Sequence, residues 1–96
     1  RWHAARARQA ARRRLLASGD APALRRQLLV ELAALPRPIR PVTRERLVGR
    51  GAAEEWLAAL TTLESWCFDS RRSPQETEFE AVRQLLAERL PARWFR

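Results

Sequence analysis

His3 is the only histidine in the chain and Cys67 the only cysteine. His3 stands among arginines with neither an acid nor a cysteine beside it, so no metal set and no Ser-His or Cys-His nucleophile can be built locally. Cys67 falls on the apolar side of a helical repeat, where a thiol packs as a small hydrophobe, and no cation-rich helix start is there to activate it. Glu54, Glu55, Glu76, Glu78 and Glu80 occupy expected first turns, where carboxylates complement the helix dipole; they read as caps and solvated faces, not as general acids. The three glycines form no loop able to cradle phosphate. The sequence therefore offers no catalytic residue, no cofactor-binding residue and no metal ligand. The expected protein is not an enzyme and has no small-molecule substrate.

The prominent chemistry is electrostatic. The opening stretch RWHAARARQAARRR holds six arginines in fourteen residues and no acid. Residues 1–50 hold thirteen arginines against Asp20, Glu31 and Glu45, and residues 51–96 six arginines against eight acids: about +10 and −2, which sum to the formal +8. Such a one-sided distribution points one end of a chain at something anionic. All nineteen basic residues are arginine, and Lys, Asn, Tyr and Met are absent, a bias that a GC-rich genome explains; the arginine excess is discounted accordingly. A single cysteine excludes an internal disulfide framework and fits a reducing compartment. No uninterrupted run of about 18 apolar residues is present, so nothing here spans a membrane. Position 1 is arginine and not Met, which suggests a piece of a longer protein with a signal peptide or membrane segment upstream.

Ninety-six residues with 46% hydrophobic content suit one small domain burying roughly 60 to 65% of its unfolded surface. The pattern predicts an all-α fold, a small bundle of four to five helices, with residues 1–18 as a basic N-terminal helix and 20–96 as the helical domain, one compact domain overall. The basic helix runs from about Trp2 to Ala17 and ends at Ser18-Gly19. Its apolar face is poor: Arg1, Arg8 and Arg12 share one side, Arg6 and Arg13 another, and only alanines with Leu15 and Leu16 remain for packing. The expectation is a helix held by something outside its own domain. Asp20 caps the second helix, Pro22 sits in its first turn, and Leu24, Leu28, Leu32 and Leu35 form its buried stripe. Residues 36–41, PRPIRP, are an extended connector or a recognition segment of polyproline type. Thr43 is the expected cap of a one-turn helix closed by Gly49 and Gly51. Ala53, Trp56, Leu57, Leu60, Leu63 and Cys67 mark the best core helix. Ser73-Pro74-Gln75-Glu76 reads as a capping box starting the last helix, lined by Phe79, Val82, Leu85, Leu86 and Leu90 and stopped by Pro91. Trp56 and Trp66 are core or core-edge residues. Trp2 suits either a membrane headgroup level or a place folded onto the domain, and Trp94 with Phe95 either packs back or forms an exposed patch.

In order, an arginine-rich helix, SGDAPALRRQLLVELAAL, a proline-containing connector, GRGAAEEWLAALTTLESWCF and a last amphipathic helix resemble the cytoplasmic tails of Bat-type, aerotolerance-associated membrane proteins. A related single-span family shares the pattern; both occur with MoxR-type ATPases and proteins carrying von Willebrand factor A domains. The resemblance covers nearly the whole chain. It is carried by the GD before the second helix and by Gly51 followed by Trp56, Leu57 and Leu60, with Trp66 or Phe68 as the aromatic near that helix's end.

The resemblance implies a non-enzymatic, membrane-proximal adaptor on the cytoplasmic side of a bacterial inner membrane, contacting an ATPase or a von Willebrand factor A-domain partner in envelope assembly or stress tolerance. In those families the arginine-rich helix continues out of a transmembrane helix, which agrees with the positive-inside rule; about 20 mostly apolar residues are expected just upstream of Arg1. Arg1, Trp2, Arg6, Arg8, Arg12, Arg13 and Arg14 would then contact the anionic surface, each arginine contributing roughly 1 kcal/mol. Glu54, Glu55, Glu78 and Glu88, with Trp94 and Phe95, would meet the protein partner. The alternative is a small basic nucleic-acid-binding module, in which the same arm neutralises phosphates with a steep salt dependence. Against it stand a missing recognition motif, weak aromatic interleaving and the acidic second half, so specific nucleic-acid binding is the second choice.

Overall fold

Asp20 begins the second helix by turning its carboxylate back onto the chain: its backbone is extended and its Oδ1 accepts the Ala23 N–H at 2.9 Å, satisfying one of the orphan first-turn donors. The computed structural model describes residues 2–96, with side chains from His3 onward. Among the described residues the order is α1 (Trp2–Leu16), α2 (Ala21–Ala33), α3 (Arg44–Gly49), α4 (Glu54–Phe68), α5 (Glu76–Glu88) and a closing 3₁₀ turn at Ala92–Phe95, with no strand. The fold is all-α, as its periodicities require. Thr43 caps α3 as expected, its Oγ1 accepting the Arg46 N–H at 3.2 Å.

The start of α5 corrects the sequence reading. Ser73 is not the cap. Asp69 organises the preceding turn, its Oδ1 accepting the Arg71 N–H and its carbonyl the Arg72 N–H, both at 3.0 Å, which leaves residues 73–75 outside any helix. Gln75 becomes the N-cap, and Glu78, three residues on, accepts the Gln75 N–H at 3.0 Å. The capping logic is the same, displaced by two residues.

Four helices form a closed ring in which α1 touches α2 and α5, and α4 touches α2 and α5. Side-chain bonds set the directions. Arg8 reaches Leu90 while Arg83 reaches Ser18, so α1 and α5 run antiparallel. Arg25 of α2 meets Glu64 and Phe68 at the far end of α4, and Trp56 near the start of α4 bonds Leu86 near the end of α5. The result is an up-down-up-down bundle of 42 × 27 × 19 Å with α3 inserted in the α2–α4 crossover. One end carries the start of α1, the end of α2, the crossover, the start of α4 and the closing turn. The opposite end carries the 17–20 and 69–75 turns.

The core takes Leu24, Leu28 and Leu32 from α2 and Leu35 just after it, Trp56, Leu57, Leu60 and Leu63 from α4, and Phe79, Leu86 and Leu90 from α5 and just after it, all buried. Val82 and Trp66 are half-buried and pack against this cluster. The crossover is pinned as well. Ile39, within the proline-rich connector, is buried and donates its N–H to the Leu32 carbonyl at 3.0 Å, and Leu47 of α3 is buried beside the core.

Two further expectations are corrected. The basic helix is a member of the bundle and is held by its own domain: Ala11 and Leu15 are 0% exposed, and Ala4 and Leu16 pack on the core. The small Ala4 and Ala11 on the face they share with Arg8 and Leu15 let α1 approach closely, so a weak apolar stripe suffices. Trp94 and Phe95 are core residues and not an exposed protein contact. Trp94 stands edge-on to Trp56 with ring centroids 5.5 Å apart, and its Nε1–H donates to the Arg50 carbonyl at 2.7 Å, which gives the indole both an apolar bed and a polar partner.

Candidate functional site

The arginines expected to face an anion divide into inward and outward sets. Arg1 and the Trp2 side chain lie outside the described residues. Arg8 and Arg12 share the side of α1 that meets α5. Arg8 Nε donates to the Leu90 carbonyl at 2.7 Å and its NH2 to the Glu88 carbonyl at 3.0 Å, so this side chain closes the free carbonyl end of α5. Arg12 NH2 pairs with Glu88 Oε1 at 2.8 Å. Arg14 grips Glu31 with two bonds of 2.5 and 2.9 Å, and Gln27 adds a third at 2.6 Å. Glu31 is buried, and its bonds hold the Arg14 guanidinium above its ordinary pKa. Arg8, Arg12 and Arg14 are therefore bonded within the bundle, Arg8 and Arg12 half-buried against α5 and Arg14 still 54% exposed beside Glu31. Arg6 and Arg13 are exposed on the other side of the helix.

The acids expected to meet a protein partner are likewise engaged at home. Glu54 pairs with Arg44 at 3.2 Å, Glu55 with Arg89, Glu78 with the α5 N-terminus, and Glu88 with Arg12 and Gln84. The Glu88 carboxyl is held below the usual range first by the Arg12 hydrogen bond and next by Gln84. Cys67 is half-buried, and burial pushes its thiol up, which agrees with a structural role.

The feature that the sequence did not announce is a basic cleft at the α1-start end. It has a volume of about 480 Å³ and is walled by Arg37 of the connector, Gly49 at the end of α3, Arg50 and Gly51 of the turn after it, and Arg93, Trp94 and Arg96 of the closing segment. No Asp or Glu side chain lines it, and no ion pair joins any of these four arginines to an acid among the described residues. The walls are tied together by side chains on carbonyls: Arg50 NH1 to the Arg37 carbonyl at 2.8 Å, Arg93 to the Gly51 carbonyl, and Trp94 to the Arg50 carbonyl. The Gly51 backbone calls for glycine. Its φ of +82° is the left-handed region, and a Cβ there would displace the Arg93 guanidinium lying across it. Arg96 also borders a smaller cleft of about 170 Å³ with Ala4, Ala5, Arg8 and Ala92, so the basic surface continues to the start of α1.

Arg37, Arg50, Arg93 and Arg96 were missed because they are scattered over sixty residues and two supposedly distinct charge halves. The one local signal was Arg50 between Gly49 and Gly51. The opposite end carries a groove of about 460 Å³ bordered by Trp66, Phe79, Pro22 and Pro74, with Phe68 nearby and 69% exposed. No helix among the described residues is long and apolar enough to cross a membrane, and no cluster of three His, Cys, Asp or Glu is placed to hold a metal. Compared with protein-family models, curated proteins and solved structures, the chain matches none of them.

Proposed function

We propose that this chain is a non-enzymatic interaction domain that sits with its basic end against an anionic membrane surface and offers its opposite end to a protein partner. The observation that carries the reading is the polarity of the bundle. The crossover 34–53 and the segment 89–96 together hold eight arginines and one acid, Glu45; Arg44 and Arg89 are paired with Glu54 and Glu55 of α4, and Ala92 and Arg96 border the start of α1. A chain entering α1 from a lipid surface would present that end first. The Bat-type resemblance supplies the partner class, a MoxR-type ATPase or a von Willebrand factor A-domain protein. With the acids paired internally and Trp94 and Phe95 buried, the groove beside Trp66 and Phe79 and the exposed Phe68 are the surfaces left for it.

The test compares the two ends at equal charge loss. Arg37, Arg40 and Arg46, all exposed, are changed to Gln in one variant, and Arg26, Arg71 and Arg72 in another. With each arginine contributing roughly 1 kcal/mol near anionic lipid, the first variant is expected to lose about 100-fold in affinity for anionic vesicles, and the second much less. Equal losses would mean that net charge alone drives binding and would sink the oriented reading. Retention on one nucleic-acid sequence against excess nonspecific duplex would establish the nucleic-acid alternative.

A further inference from the structure

We propose that the cleft walled by Arg37, Arg50, Arg93 and Arg96 is a binding site for a doubly charged phosphate group of the phosphomonoester kind. The group could be carried on a lipid headgroup or on a free molecule. The inference deepens the membrane-facing reading and rests on it only for the source of the phosphate.

Four features support it. First, Arg37, Arg50, Arg93 and Arg96 are joined to no acid by an ion pair among the described residues and all line one concavity, whereas other arginines without such a pair, among them Arg13, Arg26, Arg40 and Arg72, do not border it. Like charges held together repel, and an anion bound between them relieves that repulsion; a dianion does so better than a chloride or a single carboxylate. Second, two of the four are already oriented. Arg50 is fixed by the Arg37 carbonyl and Arg93 by the Gly51 carbonyl, each through one nitrogen, and a guanidinium has five N–H donors, so the remaining forks can receive phosphate oxygens. Third, the buried Trp94 forms the floor, keeping water from one side of the site and strengthening charge-assisted bonds there. Fourth, the volume of about 480 Å³ lies in the range of small-ligand pockets and exceeds what a halide fills.

The experiment follows the Trp94 indole and arginine Nε–H resonances of ¹⁵N-labelled protein at about pH 7 during titration with inorganic phosphate and, separately, with soluble dihexanoyl phosphatidate. Saturable shifts confined to residues around 37, 49–51 and 93–96 are expected. The double variant Arg37→Gln, Arg96→Gln should weaken binding at least about 10-fold, the loss of two charge-assisted contacts. It should also melt like the parent, since neither side chain holds another part of the fold, and the double variant Arg71→Gln, Arg72→Gln should leave the affinity unchanged. Tighter binding of phosphatidate assigns a lipid source, and equal affinity assigns a free phosphate. Shifts that fail to saturate, or equal weakening in both double variants, would overturn the site. That failure is separable from failure of the membrane reading: intact phosphate binding with no vesicle binding removes only the latter.

Discussion

The two ends of the bundle are built by different means. At the opposite end the turns close mostly on themselves: Asp20 bonds Ala23, Asp69 bonds Arg71, and Glu78 bonds Gln75, each across three residues or fewer. Two arginines there are occupied, Arg25 lying over Phe68 at 4.7 Å near Glu64, and Arg83 over Phe79 at 5.3 Å while bonding Ser18. At the basic end the ties cross the chain. Trp94 bonds Arg50, Arg93 bonds Gly51, and Arg8 bonds Leu90, at separations of 44, 42 and 82 residues. Local turns form from their own residues, whereas the basic end exists only once the last segment has docked. The end that gathers unpaired charge is thus also the one that depends most on tertiary closure, and like-charge repulsion across the cleft is the physical cost that docking must offset.

The strongest way to break this contrast is Trp94→Ala. Removing a buried indole is expected to cost about 3–5 kcal/mol, with loss of the T-shaped contact to Trp56 and of the bond to Arg50. Amide exchange should accelerate first in residues 37–52, and uniform acceleration throughout would show that the basic end has no separate dependence on the clamp. Gly51→Ala comes next. An L side chain at φ +82° costs about 1–2 kcal/mol before the displacement of Arg93 is counted, so the melting temperature should fall and the cleft should lose Arg93 as a wall. Unchanged stability and unchanged Arg93 resonances would contradict the geometry.

At the local end the expected effects are smaller. Asp20→Ala removes a cap worth about 1 kcal/mol, while Ser73→Ala, outside α5, should stay within about 0.5 kcal/mol of the parent; the reverse order in chemical denaturation would restore Ser73 as the cap. The smallest effect is a pH dependence. Because folding lowers the Glu88 pKa, the pair with Arg12 contributes stability above the ordinary glutamate value of about 4.3 and loses it as pH falls through the lower folded value. Denaturation midpoints measured from about pH 6 downward should therefore drop in the parent below about pH 4, and less steeply in Arg12→Gln. Identical slopes would mean that the pair contributes nothing to α1–α5 docking.

The sequence by itself determined the helices, their order and most of the core. Those features are written in neighbouring residues: leucines at helical spacing in α2, Trp56 to Leu63 in α4, caps at Asp20 and Thr43, and breakers in 36–41. The error at Ser73 has the same local origin, since two overlapping capping patterns compete there and the Asp69 turn selects the later one. Tertiary structure alone decided what the charges do. A helical wheel places Arg8 and Arg12 on one side of α1, but it contains no trace of the Glu88 and Leu90 groups that side would meet. Likewise the halves of about +10 and −2 were real along the chain and misleading in space. Antiparallel packing carries Arg89, Arg93 and Arg96 of the acidic half to the end where residues 37–50 of the basic half lie, so the molecule's charge axis runs along the bundle and not along the sequence. Helix formation depends on residues three or four apart, and a chain records those directly; an anion site depends on groups brought together across dozens of residues, and only packing brings them there.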